Sequence, residues 1–298
     1  MKKKSGWINC IWAAFSTYSR IPVPAASWEA ESLRWQICCF PLVGLAIGLI
    51  WCMAGIILTL AGLYPFLTGI LLCALPVILT GGIHMDGFLD TTDAVHSWKS
   101  QEERQEILKD PHIGAFAMIY GALYLLTASG ICAQIAANVQ AAANVQAGSI
   151  QQLTLTAQMG TTVQSVIGRL PSSLRQPTYV SFFMMIPCFI LSRILSALSV
   201  VFFPKARKEG MLRSTADASD KRAGKVLFAE LIVVLFIFVI EAWAFRKPAI
   251  LLLPLLSGLV FAYYYRMVMR QFGGISGDLA GWFLQVTELA CLALIVLL

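Results

Sequence analysis

The chain has 298 residues, 58% of them hydrophobic and 13% charged, with a formal net charge of +6. Soluble domains carry roughly 25% charged residues, and so few charges cannot cover a soluble surface of this size. The excess Lys and Arg lie in short segments beside apolar runs, which points to membrane orientation rather than nucleic-acid binding.

Lys2, Lys3 and Lys4 resemble the start of a signal peptide, but the following stretch carries Ser, Thr, Tyr and Arg20 and has no clean cleavage site. Segment 7–20 is short and mixed, and is expected at the interface or dipping into the protein. The run Arg20-Ile21-Pro22-Val23-Pro24 ends any helix there, because proline lacks a donor and restricts its predecessor. Seven apolar stretches approach or exceed the ~20 residues of a bilayer crossing. They cover about 36–62, 66–83, 113–136, 178–203, 226–244, 249–266 and 279–298. The expected fold is all-α: a polytopic membrane protein of about seven transmembrane helices plus an N-terminal interfacial segment, forming one domain over 1–298.

With the N-terminus inside, the inner segments hold 17 Lys and Arg and the outer ones 4, with Arg193 left within a span. That asymmetry predicts a cytoplasmic N-terminus, and cytoplasmic loops at 84–112, 204–225 and 266–278. The eight cysteines fall mostly in apolar runs without CxxC spacing, and are read as packing residues. Residues 137–177 are polar and free of acids, and the hexamer AANVQA at Ala136–Ala141 recurs at Ala142–Ala147. This segment is read as a tolerated, mobile insertion.

Chemistry concentrates in the block Gly81-Gly82-Ile83-His84-Met85-Asp86-Gly87-Phe88-Leu89-Asp90-Thr91-Thr92-Asp93. Asp86, Asp90 and Asp93 are spaced i, i+4, i+7, so a helix places them on one face. Like charges so spaced repel, and a divalent cation is the economical compensation. Hard oxygen ligands with no cysteine nearby favour Mg²⁺ or Mn²⁺ over Zn²⁺. All three histidines, His84, His96 and His112, fall in this loop, and His84 beside Asp86 is the best catalytic candidate. Arg104 and Lys109 follow within reach of a phosphorylated ligand. Ser192-Arg193 places a cation inside a span, a functional position by default. Gly273-Gly274-Ile275-Ser276-Gly277-Asp278 opens the last span with a carboxylate where a helix N-terminus favours anions.

In order along the chain, these blocks resemble the cobalamin synthase family, adenosylcobinamide-GDP ribazoletransferase. The carriers are FSTYSRIPVP at Phe15–Pro24, FPLVG at Phe40–Gly44, GGIHMDGFLDTTD at Gly81–Asp93, RQEILKDPHIGAF at Arg104–Phe116, Ser192-Arg193, Ala206–Gly210 and the GGISGD block. Ala94, Pro111, Ser276 and the long 137–177 segment depart from the family pattern, and none removes a carboxylate. The resemblance implies a phosphotransferase that joins α-ribazole, or its 5′-phosphate, to adenosylcobinamide-GDP and releases GMP. It implies Mg²⁺ as cofactor, held by Asp86, Asp90 and Asp93, and a multi-pass enzyme of the inner membrane whose site faces the cytoplasm. Asp93 is favoured as the base with His84 as alternative, and Arg104, Lys109, Arg193 and Asp278 as substrate-binding residues. Lipid is the expected surrounding, with a homo-oligomer or association with other enzymes of the pathway left open, and no nucleic acid. The alternative enzyme is another Mg²⁺-dependent membrane transferase of the CDP-alcohol phosphotransferase or prenyltransferase type. A secondary transporter predicts midplane polar sites and repeated halves, and the sequence offers neither.

Overall fold

The computed structural model describes residues 6–28, 30–158, 179–206 and 221–298. Most of the charged segment 204–225 and the stretch 159–177 of the expected insertion lie outside these residues.

Helix α1 (Gly6–Tyr18) is followed by the proline-rich turn, α2 (Ala30–Gln36) and α3 (Phe40–Leu60). At 13 residues α1 is only ~20 Å long and adds no crossing. It exposes Trp7 and Ile8, and docks its other face on α2 and α3. Asn9 fastens the turn behind it, donating to the Ser27 carbonyl at 2.7 Å and accepting from the Ser27 N–H at 2.8 Å.

The chain then makes α4 (Pro65–Thr80), α5 (Ile83–His96), α6 (Gln101–Ile107) and α7 (Ala115–Gln158). Next come α8 (Val180–Phe202), α9 (Lys221–Ala244), α10 (Leu252–Gln271) and α11 (Gly277–Leu297). Helices α3, α7, α8, α9, α10 and α11 are each long and apolar enough to cross a bilayer. The seventh stretch behaves differently. Helix α4 stops at Gly81 and Gly82, both with positive φ (64° and 80°), and α5 departs at 98°. If α4 runs along the bilayer normal, α5 lies across the end of the bundle, outside the spanning segments. The acidic block is therefore a helix of its own, as its spacing predicted, on a platform set by two left-handed glycines.

From 137, where the sequence reads as a loop, α7 continues as helix to Gln158. Gln140 of this extension donates to the Leu63 carbonyl at 2.7 Å, at the far turn between α3 and α4.

Glycines set the tightest packing. A Cβ on Gly44 would meet the Phe189 carbonyl and the Arg193 side chain, and one on Gly48 the Ile186 backbone at 3.0 Å. This GxxxG spacing lets α3 lie directly on α8, the most extensive helix pairing among the described residues. On the other side, a Cβ on Gly87 would strike the Asp278 backbone, and one on Gly281 would meet the His84 backbone at 3.0 Å. Helices α5 and α11 thus touch backbone to backbone. The starts of α3, α7, α9 and α11 and the ends of α4, α8 and α10 gather at one end of the bundle. Contacts there join Cys38 to Ala223, Asp93 to Ala117, and Lys205 to Ile275. At the opposite end, Lys247 Nζ reaches the Leu298 carbonyl at 3.2 Å.

Candidate active site

The α5–α11 crossing opens onto a cavity of about 170 Å³ lined by His84, Asp86, Ser196, Asp278 and the rings of Tyr18 and Phe40. Five separate segments meet here, from α1, the start of α3, α5, α8 and α11. Tyr18 ends α1, whose exit is tied to α4 by the Arg20 N–H donating to the Leu79 carbonyl at 2.7 Å. Asp278 lies in the first turn of α11, where the Ser276 hydroxyl caps the helix by accepting from the Leu279 N–H at 3.3 Å. The loop before that cap is fixed from both sides. The Ile275 N–H donates to the Pro204 carbonyl at 2.8 Å, and the Ala206 N–H to the Ile275 carbonyl at 3.0 Å. Helix α6 braces the same loop: Gln105 Nε2 donates to the Phe272 carbonyl at 2.7 Å and Arg104 to Gln271 Oε1 at 2.8 Å.

His84 is 5% exposed, and its Nε2 is buried without a hydrogen-bond partner. Burial, and secondarily the Arg193 guanidinium, push its pKa below the usual imidazole value and keep the ring neutral. Asp86 is exposed on the cavity wall, and Asp90 lies half-buried one turn further along α5. Asp93 looks elsewhere. Its Oδ1 accepts from the Ala117 N–H at 3.4 Å at the start of α7, and a Cβ on Gly114 would overlap its carboxylate. The three aspartates share a face of α5, yet among the described residues no three His, Cys, Asp or Glu side chains converge as a ready metal cluster. Asp86 and Asp278 do line one cavity, and among the described residues no thiol lines it. That donor set fits Mg²⁺, which takes one or two carboxylates, keeps several waters and completes its shell with substrate phosphate oxygens.

The family model described as cobalamin-5-phosphate synthase matches residues 10–296. The chain belongs to this family. A relative from Lachnoclostridium phytofermentans named adenosylcobinamide-GDP ribazoletransferase is 35% identical over 97% of this chain and 94% of its own length. Proteins of the same name from Desulfitobacterium hafniense (29% identical; 94% of this chain, 93% of its own) and Brevibacillus brevis (26%; 97% and 98%) also match along their length. No solved structure matches. The chain is thus an enzyme of the cobalamin-5-phosphate synthase family, and the resemblance read from its ordered motifs is borne out.

For this synthase-family member, the structure brings His84, Asp86 and Asp278 together and separates the rest. Arg104 braces the loop before α11 and does not line the cavity. Lys109 is exposed after α6. His96 stacks on Tyr120 at 4.2 Å with its Nδ1 2.8 Å from the Thr92 carbonyl, and His112 pairs with Asp110 at 2.6 Å. Arg193, 1% exposed, is bonded to Glu288, itself 4% exposed, and to Ser192 Oγ at 2.9 Å. It lies one turn of α8 deeper than Ser196. Glu288 is the residue that sequence reasoning missed. Its signal was present: an acid inside an otherwise apolar last span needs a counter-ion, and Arg193 is the cation within a span.

Proposed function

We propose that the chain joins α-ribazole 5′-phosphate, or α-ribazole, to adenosylcobinamide-GDP and releases GMP. The observation that carries this reading is the meeting of Asp86, Asp278 and His84, whose Nε2 is unpartnered, on one cavity. In the reaction a ribazole hydroxyl oxygen attacks the phosphorus bonded to cobinamide. The new P–O bond forms as the bond to the GMP phosphate breaks, and the hydroxyl proton passes to a base. His84, which lines the cavity and has a buried Nε2 without a hydrogen-bond partner, is proposed for that role. Asp93, the sequence-favoured base, shares its oxygen with the Ala117 N–H and does not line the cavity.

Mg²⁺, when bound, would supply charge neutralisation at the diphosphate. Asp86 and Asp278 are the residues proposed to hold it, with Asp90 one turn along. Asp93 serves the same surface by fixing the start of α7 beside α5. Lys109 is proposed to meet the guanine nucleotide at the rim, and Arg104 to act through the loop that carries Asp278. Arg193 is proposed to act from a distance, by joining α8 to α11 and so placing Ser196 opposite Asp278. The 17-to-4 distribution of Lys and Arg supports a cytoplasmic site in the inner membrane.

Purified protein is expected to release GMP from adenosylcobinamide-GDP only when ribazole or its phosphate and Mg²⁺ are both present. Release that persists after chelation, or that needs no ribazole, counts against the assignment. Orientation is tested separately on a cysteine-free background in intact cells. Trp98→Cys should resist an impermeant thiol reagent and Arg246→Cys should react, whereas the opposite pattern reverses the topology.

A further inference from the structure

Beside the acidic cavity lies a second, polar hollow of about 610 Å³, lined by Ser16, Thr17, Ser19, Arg20, Thr80 and Gly81. The two spaces are neighbours: Ile83 lines both, and Tyr18 of the first sits between Thr17 and Ser19 of the second. Their chemistry is opposite. The first carries two carboxylates, while among the described residues no acid lines the second and its one charge is the Arg20 guanidinium.

Arg20 is exposed, but its backbone is anchored and its side chain packs over the α4–α5 elbow. Its N–H is tied to the Leu79 carbonyl at 2.7 Å, and its side chain lies over Gly81. Gly81 has φ +64° at the elbow between α4 and α5, and a Cβ there would meet Arg20 Nε at 2.6 Å. The missing Cβ leaves the place that the guanidinium stem occupies. Among the described residues the guanidinium forms no ion pair. An arginine packed over the elbow with hydroxyls around it, and no carboxylate paired to it among the described residues, is a donor set that suits a phosphate monoester.

We propose that this hollow is the subsite for the 5′-phosphate of the ribazole acceptor, and that Arg20 is the residue that makes the enzyme prefer the phosphorylated acceptor. The inference rests on the reaction proposed above. It follows from charge separation. The acceptor must bring a hydroxyl to a diphosphate at the carboxylate cavity while its own phosphate carries up to two negative charges. Like charges crowded on one centre repel, so the monoester needs a positive site that is separate from the reacting centre but within one nucleoside of it. The hollow across Ile83 meets that requirement. The apolar wall of the first cavity, formed by Phe40, Ile37 and Leu284, is left for the aromatic base.

The test compares kcat/KM for α-ribazole 5′-phosphate and for α-ribazole in the full-length protein, reading GMP release. The wild-type protein is expected to favour the phosphorylated acceptor. Arg20→Ala is expected to cut that preference by about 10- to 100-fold, the weight of a charge-assisted contact, mainly through KM for the phosphorylated acceptor. Arg20→Lys is expected to restore part of it. Turnover of the unphosphorylated acceptor reports in each variant that the protein is folded. A wild-type enzyme indifferent to the phosphate, or a preference unchanged in Arg20→Ala, overturns the subsite while leaving the reaction standing. So does a KM increase for adenosylcobinamide-GDP that is equal with both acceptors, since the anion at Arg20 is then the donor's diphosphate. Absence of GMP release by wild-type protein with either acceptor overturns the reaction, and the subsite with it.

Discussion

At both the α3–α8 and the α5–α11 crossings, glycines bring two helices to backbone contact, and ionisable residues sit beside the contact. Their fates differ. Beside α3–α8, Arg193 is sealed in the bundle and bonded to Glu288 and Ser192. Beside α5–α11, Asp86 and Asp278 line an open cavity with a buried imidazole nitrogen that no side chain satisfies. A charge paired inside the bundle holds helices together. Carboxylates gathered on a cavity wall repel one another, and a bound cation would relieve that repulsion. The comparison teaches that an intramembrane charge has to be read with its partner: Arg193 alone resembles a binding residue, while its bond to Glu288 also joins α8 to α11.

The largest effect that would sharpen this contrast is expected at the cavity. Asp86→Asn and Asp278→Asn should each lower GMP release by about 10²–10³-fold, as losing a transition-state charge contact does, without lowering the thermal midpoint in detergent. A cooler midpoint with proportionate activity loss would make these carboxylates structural. The Arg193–Glu288 pair should respond the other way. Glu288→Ala leaves Arg193 buried and uncompensated and should cost about 3–5 kcal/mol of stability. The double variant Arg193→Met/Glu288→Leu should recover most of it, as thermal unfolding would show. If the double variant is stable yet inactive at saturating substrate, Arg193 belongs to the chemistry and the contrast breaks.

The glycines give a smaller, matched pair. Gly44→Ala and Gly87→Ala should each cost about 1–3 kcal/mol through overpacking. Only Gly87→Ala displaces the start of α11 at Asp278, so only it should also reduce turnover per folded molecule, by about 10²-fold as misplaced catalytic groups do. Equal kinetic losses in the two variants would erase the distinction between the crossings. The smallest effect is expected from deleting Ala142–Ala147 in the extension of α7, remote from both crossings. Activity should stay within about 2-fold of wild type, as trimming a peripheral segment allows, and abolished turnover in correctly inserted protein would tie that extension to the machinery.

Several features were legible because their physics is local. Seven apolar stretches follow from the cost of unsatisfied backbone in lipid, and six of them are long helices in the structure. The break after Tyr18 follows from proline, and the shared face of Asp86, Asp90 and Asp93 from helical period. The Gly81-Gly82 elbow was visible as a glycine pair, but not as a turn of 98° between two helices. The loop read from 137 proved helical as far as 158, because Ala- and Gln-rich polar sequence forms helix as readily as it leaves the membrane.

What only the tertiary structure decided is which residues share a space. Asp93 has the right period to join Asp86, but the start of α7 sits beside it and the Ala117 N–H takes its oxygen. Arg104 has the right charge for phosphate, but α6 docks on the loop at 271–274 and Gln271 receives it. Glu288 and Arg193 are 95 residues apart, and pairing at that separation leaves no periodic trace in the chain. By itself the sequence determined the helices and the family, since these depend on neighbours a turn or a span away and on motifs in order along the chain. The site's membership was decided by two glycine contacts, Gly87 on Asp278 and Gly281 on His84, where the absence of a side chain lets two distant helices meet.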